Sequence, residues 1–283
     1  MRSVAVLALA AFVLGCSEPS EVHGTPDSSD GSGTSGAFGG QAVAPALAFR
    51  AYRVAASRGG VTVGFDLDGL VSAEGADQAC GQADAASPDG TLGIDNGVGR
   101  FWPDFYDVLG DSLESLFREG VSRGGDIPML VLPDASDAQF AVARLQGAAV
   151  DFDGLLAGFQ TFDLETGGQP FPIIQSPDRV VFGPAPAVVQ VEAFSLAIAL
   201  PIEGLRGDLR RDQDGVWRGP VGGSFPLDAV PEPLAAVVSL ASGQPLSEAL
   251  SGAADLGGAG ARCNGISFGA QVEAVEAFAV APR

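Results

Sequence analysis

The chain has 283 residues, a formal net charge of -20 and a 46% apolar fraction, enough to bury a core and too apolar for wholesale disorder. It contains no lysine, and its single histidine is His23. These absences exclude a lysine-bearing phosphate loop, a lysine Schiff base, a Ser-His-Asp triad in the folded part and an HExxH zinc site, while a pI near 4.1 speaks against contact with nucleic acid.

The N-terminus reads as an address. Arg2 supplies a positive start, and Val4 to Leu14 is an apolar run too short to span a bilayer. It ends in Val13-Leu14-Gly15-Cys16, which resembles the lipobox of bacterial lipoproteins. The resemblance implies a signal peptide over residues 1–15 and lipidation of Cys16, with the bilayer as the chain's first partner. Two or more acyl chains hold a protein on a membrane stably, where one does not. Ser17 after the cysteine, in place of Asp, implies the outer membrane of a Gram-negative envelope, on its periplasmic face or at the cell surface. Residues 16–45 are rich in Gly, Ser, Pro and acids and read as a flexible tether, about 30 Å long on average. His23 falls in it and reads as a solvated residue.

From Ala46 the composition becomes globular, and residues 46–283 read as one domain. The most apolar later stretch, Ala185 to Ile202, is broken by Gln190 and Glu192 and does not read as a membrane span. Val61, Val63, Phe65 and Leu67 alternate and predict a strand. Phe105, Leu109, Leu113, Leu116 and Phe117 recur at helical spacing, after Pro103 and before Gly124-Gly125. Ile127 to Leu132 reads as a buried strand, and Phe194, Leu196, Ile198, Leu200 and Ile202 as a second long alternating face. Asp214-Gly215 predicts a hairpin turn before Val216-Trp217. Leu234 to Leu240 and Leu246 to Leu250 read as short helices, and Ile266 to Val272 as a closing strand. The sum is a β-rich α+β fold, an antiparallel sandwich or open barrel with two helical segments. Phe182-Gly183-Pro184-Ala185-Pro186 marks a possible division into lobes 46–184 and 185–283.

Three cysteines leave an even pair once Cys16 is lipidated, so Cys80 and Cys263 are expected to form a disulfide in an exported chain. Asp-x-Asp-Gly occurs at Asp66-Leu67-Asp68-Gly69, Asp151-Phe152-Asp153-Gly154 and Asp212-Gln213-Asp214-Gly215. Calcium wants six to eight oxygens from carboxylates, amides and carbonyls, and Asp66, Asp68, Asp89, Asp95 and Asn96 are the candidate ligands, with calcium the candidate cofactor. The same residue types also make hairpin turns and helix caps, and no copy completes an EF-hand loop. The third copy reads as a turn. Trp102, Trp217, Tyr52 and Tyr106 read as core or rim. Carboxylate pairs such as Asp163/Glu165 and Glu273/Glu276 would suit acid–base hydrolysis, but in so acidic a chain pairs arise by chance.

Gly64-Phe65-Asp66-Leu67-Asp68-Gly69, the Cys80 loop, Ser87-Pro88-Asp89-Gly90, Gly93-Ile94-Asp95-Asn96 and Cys263-Asn264-Gly265-Ile266-Ser267-Phe268-Gly269 resemble a group of uncharacterised bacterial envelope lipoproteins. That resemblance implies localisation and architecture, and it brings no mechanism. The functional expectation is a membrane-anchored envelope lipoprotein with a calcium-stabilised binding domain, more naturally a binder than an enzyme, its protein or glycan partner unidentified. The alternatives are a carboxylate-based hydrolase of envelope or extracellular polymer and a structural envelope component.

Overall fold

The computed structural model describes residues 43–75, 80–100, 126–133, 137–144, 150, 154–164, 168–193, 196–229, 245, 248, 254–257 and 263–280; at 126, 137, 144, 189–193, 196–198 and 200 it describes the backbone alone. Cys16, His23 and the acidic pair at 151 and 153 lie outside these residues. So do the helices expected over 105–117, 234–240 and, save for Glu248, 246–250.

The strands are β1 (Val43–Val54), β2 (Ala85–Ala86), β3 (Leu92–Ile94), β4 (Asp126–Val131), β5 (Asp137–Arg144), β6 (Thr161–Leu164), β7 (Gln169–Ser176), β8 (Arg179–Ala193), β9 (Leu196–Arg211), β10 (Trp217–Pro226) and β11 (Gly265–Val280). Eight of them close a ring, β1-β4-β5-β7-β8-β9-β10-β11 and back to β1, with every neighbour antiparallel. The fold is therefore β-rich as expected, but the barrel is closed, not open, and is no sandwich. Alternation along a strand reports which face is buried. It carries no information on which edges meet, and closure here rests on the pairings β1–β11 and β5–β7.

β6 stands outside that ring. It pairs antiparallel with the end of β5 (Ala143↔Leu164) and parallel with the end of β11 (Phe278↔Thr161), so it crosses one face of β11, β1, β4 and β5. Beneath it lie Ala46, Ala48, Ile127, Met129, Val131, Ala141, Ala143, Val275, Ala277 and Ala279, packed with Leu156, Phe162 and Leu164. The alanines leave room for the fully buried Phe162 ring. The intervening positions Leu47, Phe49, Leu130, Phe140 and Val142 are buried too. Phe140 meets Phe171 at 6.0 Å between ring centroids, and Phe171 meets Phe182 at 6.1 Å, which ties the opposite face to β7 and β8. The four shared strands are thus covered on both sides, which is why β4 reads as a continuous apolar run rather than an alternating one.

Several expectations meet the structure directly. β4 and β11 occupy the predicted buried and closing strands, and β11 runs on to Val280. Asp212 forms the β9–β10 turn: its Oδ1 accepts the N–H groups of Asp214 and Val216, each at 2.9 Å, and Gly215 takes a φ of +80°. The stretch 182–186 lies within β8, where the register against β9 shifts between Phe182 and Ala187. β1 takes Val43, Ala44 and Pro45 from the stretch read as tether, pairing them with Val280, Ala279 and Phe278.

The strand expected over 61–67 does not form. Only isolated bridges occur there, Val61 with Arg58 and Ala86, and Phe65 with Asp95. Val61 is exposed and Thr62 buried, the reverse of the predicted faces. The acidic side chains explain the failure. Leu67 N donates to Asp95 Oδ2 at 2.7 Å in place of a strand carbonyl, and Asp66 and Asp68 turn the chain just beyond it by accepting the N–H groups of Gly69 at 2.6 Å and Leu70 at 2.9 Å.

Candidate metal centre

The loop over residues 55–95 packs across the beginning of β11. Asn96 organises it. Its Nδ2 donates to Ala55 O at 2.8 Å, Thr62 Oγ1 at 2.8 Å and Val63 O at 3.2 Å. Its Oδ1 accepts from Gly99 N at 2.8 Å and Gly269 N at 3.2 Å, the first being a cap on the helical turn that begins at Gly97. The loop lies so close to β11 that a Cβ on Gly269 would meet Val63 O at 2.1 Å. A second buried latch lies beside it. Ser267 N donates to Asp255 Oδ1 at 2.8 Å, its hydroxyl donates to the other Asp255 oxygen, and Gly97 N donates to Ser267 Oγ at 2.6 Å. The expected disulfide, Cys80–Cys263, then pins the loop to the residues just before β11.

That frame brings three of the predicted ligands together. One carboxylate oxygen from each of Asp66, Asp68 and Asp95 lies within 4.8 Å of the other two. Two ligands on one calcium, each about 2.3–2.6 Å from it, sit no more than about 5 Å apart, so the spacing suits a shared ion. Arg206 on β9 donates to Asp66 O at 3.0 Å and holds the loop backbone against the barrel. Gly93, at a φ of +80°, lets the carbonyl of Leu70 approach; a Cβ there would stand 2.6 Å from Leu70 O and 3.4 Å from Asp66 Oδ2.

The electrostatics match crowded carboxylates with too few cations. Asp95 is 1% exposed. Burial pushes its pKa up to about 7, Asp68, Asp84 and Asp255 push the same way, and the Leu67 N–H, 2.7 Å from Asp95 Oδ2, pulls against them. Asp84 is raised as well, first by burial and then by Asp68 and Asp66, although it accepts the Ser72 N–H at 2.6 Å. Asp255 is raised by burial against its bonds to Ser267. A divalent cation at the cluster would favour the ionised form of Asp95.

Two predicted ligands serve elsewhere. Asn96 has both lone pairs of its amide oxygen committed to backbone donors, so it is a latch. Asp89 stays in its own exposed turn, accepting from the Ser87 hydroxyl and from Thr91 N and Oγ1 at 3.1 and 2.9 Å, and the Ser87 bond leads in holding its carboxyl below the usual range. Sequence reasoning passed over Asp84 as a fourth nearby carboxylate. Its only signal was its place just after Cys80, which the disulfide draws in.

Beside the cluster opens a groove of about 480 Å³, lined among others by Asp68, Glu203, Arg206, Asp228 and Asn264, with no aromatic side chain among the described residues. Glu273 and Glu276 form no catalytic pair. Glu273 bonds Arg218 at 2.8 Å and Arg50 at 3.3 Å, and Glu276 pairs with Arg211 at 2.9 Å. Trp217 is buried core, as read. Compared with known proteins, the chain matches no family model, no curated protein and no solved structure.

Proposed function

We propose that the protein is an envelope-anchored binding protein, held to a bilayer through lipidated Cys16, whose recognition end is organised by calcium at Asp66, Asp68 and Asp95. The observation that carries this reading is the convergence of three carboxylates within 4.8 Å on a loop fastened by a disulfide. Their position supports it. β11 starts at Gly265, at the edge of the groove, and ends at Val280, paired with Val43, the first described residue after the tether. Sixteen residues of strand, roughly 50 Å along the chain, separate the two, so the tether enters at one end of the barrel and the groove opens at the other.

The groove's chemistry suits a polar partner rich in hydrogen-bond donors, a glycan or a basic peptide, met by Asp68, Glu203, Asp228 and Asn264. An acid–base hydrolase fits less well. Asp95, its pKa raised to about 7, is buried beneath the loop, and no aromatic side chain lines the groove among the described residues.

Thermal scans of protein stripped with a chelator test the metal. At calcium one hundredfold above its dissociation constant, melting rises by about 5–10 °C, and Asp66→Asn with Asp68→Asn abolishes the rise. An unchanged melting temperature at millimolar calcium removes the metal from the reading.

A further inference from the structure

The end of the barrel where the tether enters carries large apolar side chains in water. Phe159 is 70% exposed, Val43 53% and Phe278 38%. They lie on neighbouring chains. Phe278 is the register partner of both Pro45 on β1 and Thr161 on β6. Phe159 N donates to Glu276 O at 2.6 Å, and Phe278 N donates to Gln160 O at 2.8 Å. Phe159 sits at a φ of +61°, a conformation bulky residues rarely adopt, and holds its ring outward. Aliphatic side chains such as Val71 and Leu92 are exposed at the groove end too, but among the described residues the exposed large aromatics, Phe159 and Phe278, both lie at this end, a feature that solubility in so acidic a chain does not explain.

We propose that this end docks on the bilayer to which the chain is anchored, with Phe159, Phe278 and Val43 entering the headgroup layer. The proposal rests on the anchored reading above. Its occupant follows from continuity: Val43 is itself in the patch, and residues 17–42 alone separate it from Cys16. Taken as the tether that its composition predicts, a segment of that length spans about 30 Å, so the lipid surface is present at high effective concentration and a weak apolar contact suffices. A flanking carboxylate sets the lipid preference. Asp163 is exposed beside Val280, whereas Glu276 is already paired with Arg211 at 2.9 Å, so Asp163 biases this end toward neutral headgroups over anionic ones. Docking at this end turns the groove and its carboxylates away from the membrane.

The test uses the full lipidated chain in phosphatidylcholine vesicles. With Cys16 acylated and Cys80 bonded to Cys263, one added cysteine is the only free thiol. A polarity-sensitive dye is placed at Thr161→Cys beside the patch, or at Val71→Cys on the groove end. Flotation with the vesicles reads the anchor, and the dye reads the docking. The expected result is a blue shift and about a threefold brightening at 161, little change at 71, and loss of the signal at 161 when Phe159→Ser and Phe278→Ser are added while the protein still floats. Replacing half the lipid with phosphatidylglycerol weakens the signal. A chain that floats with an unchanged dye at 161 overturns the docking and leaves the anchor standing. Equal signals at 161 and 71, or a signal that follows protein concentration without lipid, also overturn it, the last in favour of a second copy on the patch. A chain that does not float overturns both.

Discussion

The two ends of the barrel are held together by different physics. At the tether end, β1, β4, β5, β6 and β11 are joined by ladders, and alanines pack under Phe162. At the groove end, residues 55–95 have almost no ladder. They are fixed by Asn96, by the Asp255–Ser267 pair, by carboxylates turned onto backbone N–H groups and by one disulfide. A ladder-and-packing end resists change through apolar burial. A latch-and-charge end is sensitive to redox state, pH and ions, which suits a recognition surface.

The largest effect that separates the ends is expected from the disulfide. Cys80→Ser with Cys263→Ser releases a loop closed across 183 residues and costs up to about 5 kcal/mol in the chain-entropy account. Denaturant melts read that loss, and calcium response falls with it. Phe162→Ala costs about 3–5 kcal/mol through the cavity it leaves, yet the remaining folded protein keeps its full calcium shift. Equal loss of the calcium response in both variants erases the contrast. Asn96→Ala comes next, at about 2–4 kcal/mol, because it removes a helix cap and leaves Gly269 N and Val63 O short of a partner.

The pH response is smaller and has a definite sign. The pKa of Asp95 is raised to about 7 in the folded protein from the ordinary carboxylate value near 4, so the folded state holds a proton that the unfolded state releases. Its contribution to stability is fully present below about pH 4 and is lost as pH rises to about 7. Calcium-free wild-type protein therefore loses more melting temperature between pH 5 and pH 8 than Asp95→Asn does, and calcium narrows the gap by stabilising the ionised form. Identical pH profiles for the two proteins refute the burial of that charge.

The same division explains what was legible in the sequence. Apolar runs and turn chemistry gave away β4, β11 and the Asp212 turn, because burial and local bonding act within a few residues. The failed strand at 61–67 shows the limit. Its alternation was genuine, but Asp66 and Asp68 turn the backbone onto Gly69 and Leu70, and Asn96 ties Val63 O to Gly269 N on β11, far along the chain. Of the three ligand candidates that converged, Asp66 and Asp68 are neighbours in Asp-x-Asp, and Asp95 joins them through its bonds to Phe65 O and Leu67 N. Asn96 and Asp89 instead bond backbone and neighbouring hydroxyl groups; an amide at a cap and an acid in a turn look like ligands until their partners are known.

Calorimetric titration of the chelator-stripped protein with calcium decides whether the three carboxylates form a site. One saturating site per chain is expected, with proton release near pH 7 as Asp95 ionises, and no site in Asp66→Asn with Asp68→Asn. No binding up to millimolar calcium, or equal binding in wild type and variant, contradicts a site at these carboxylates.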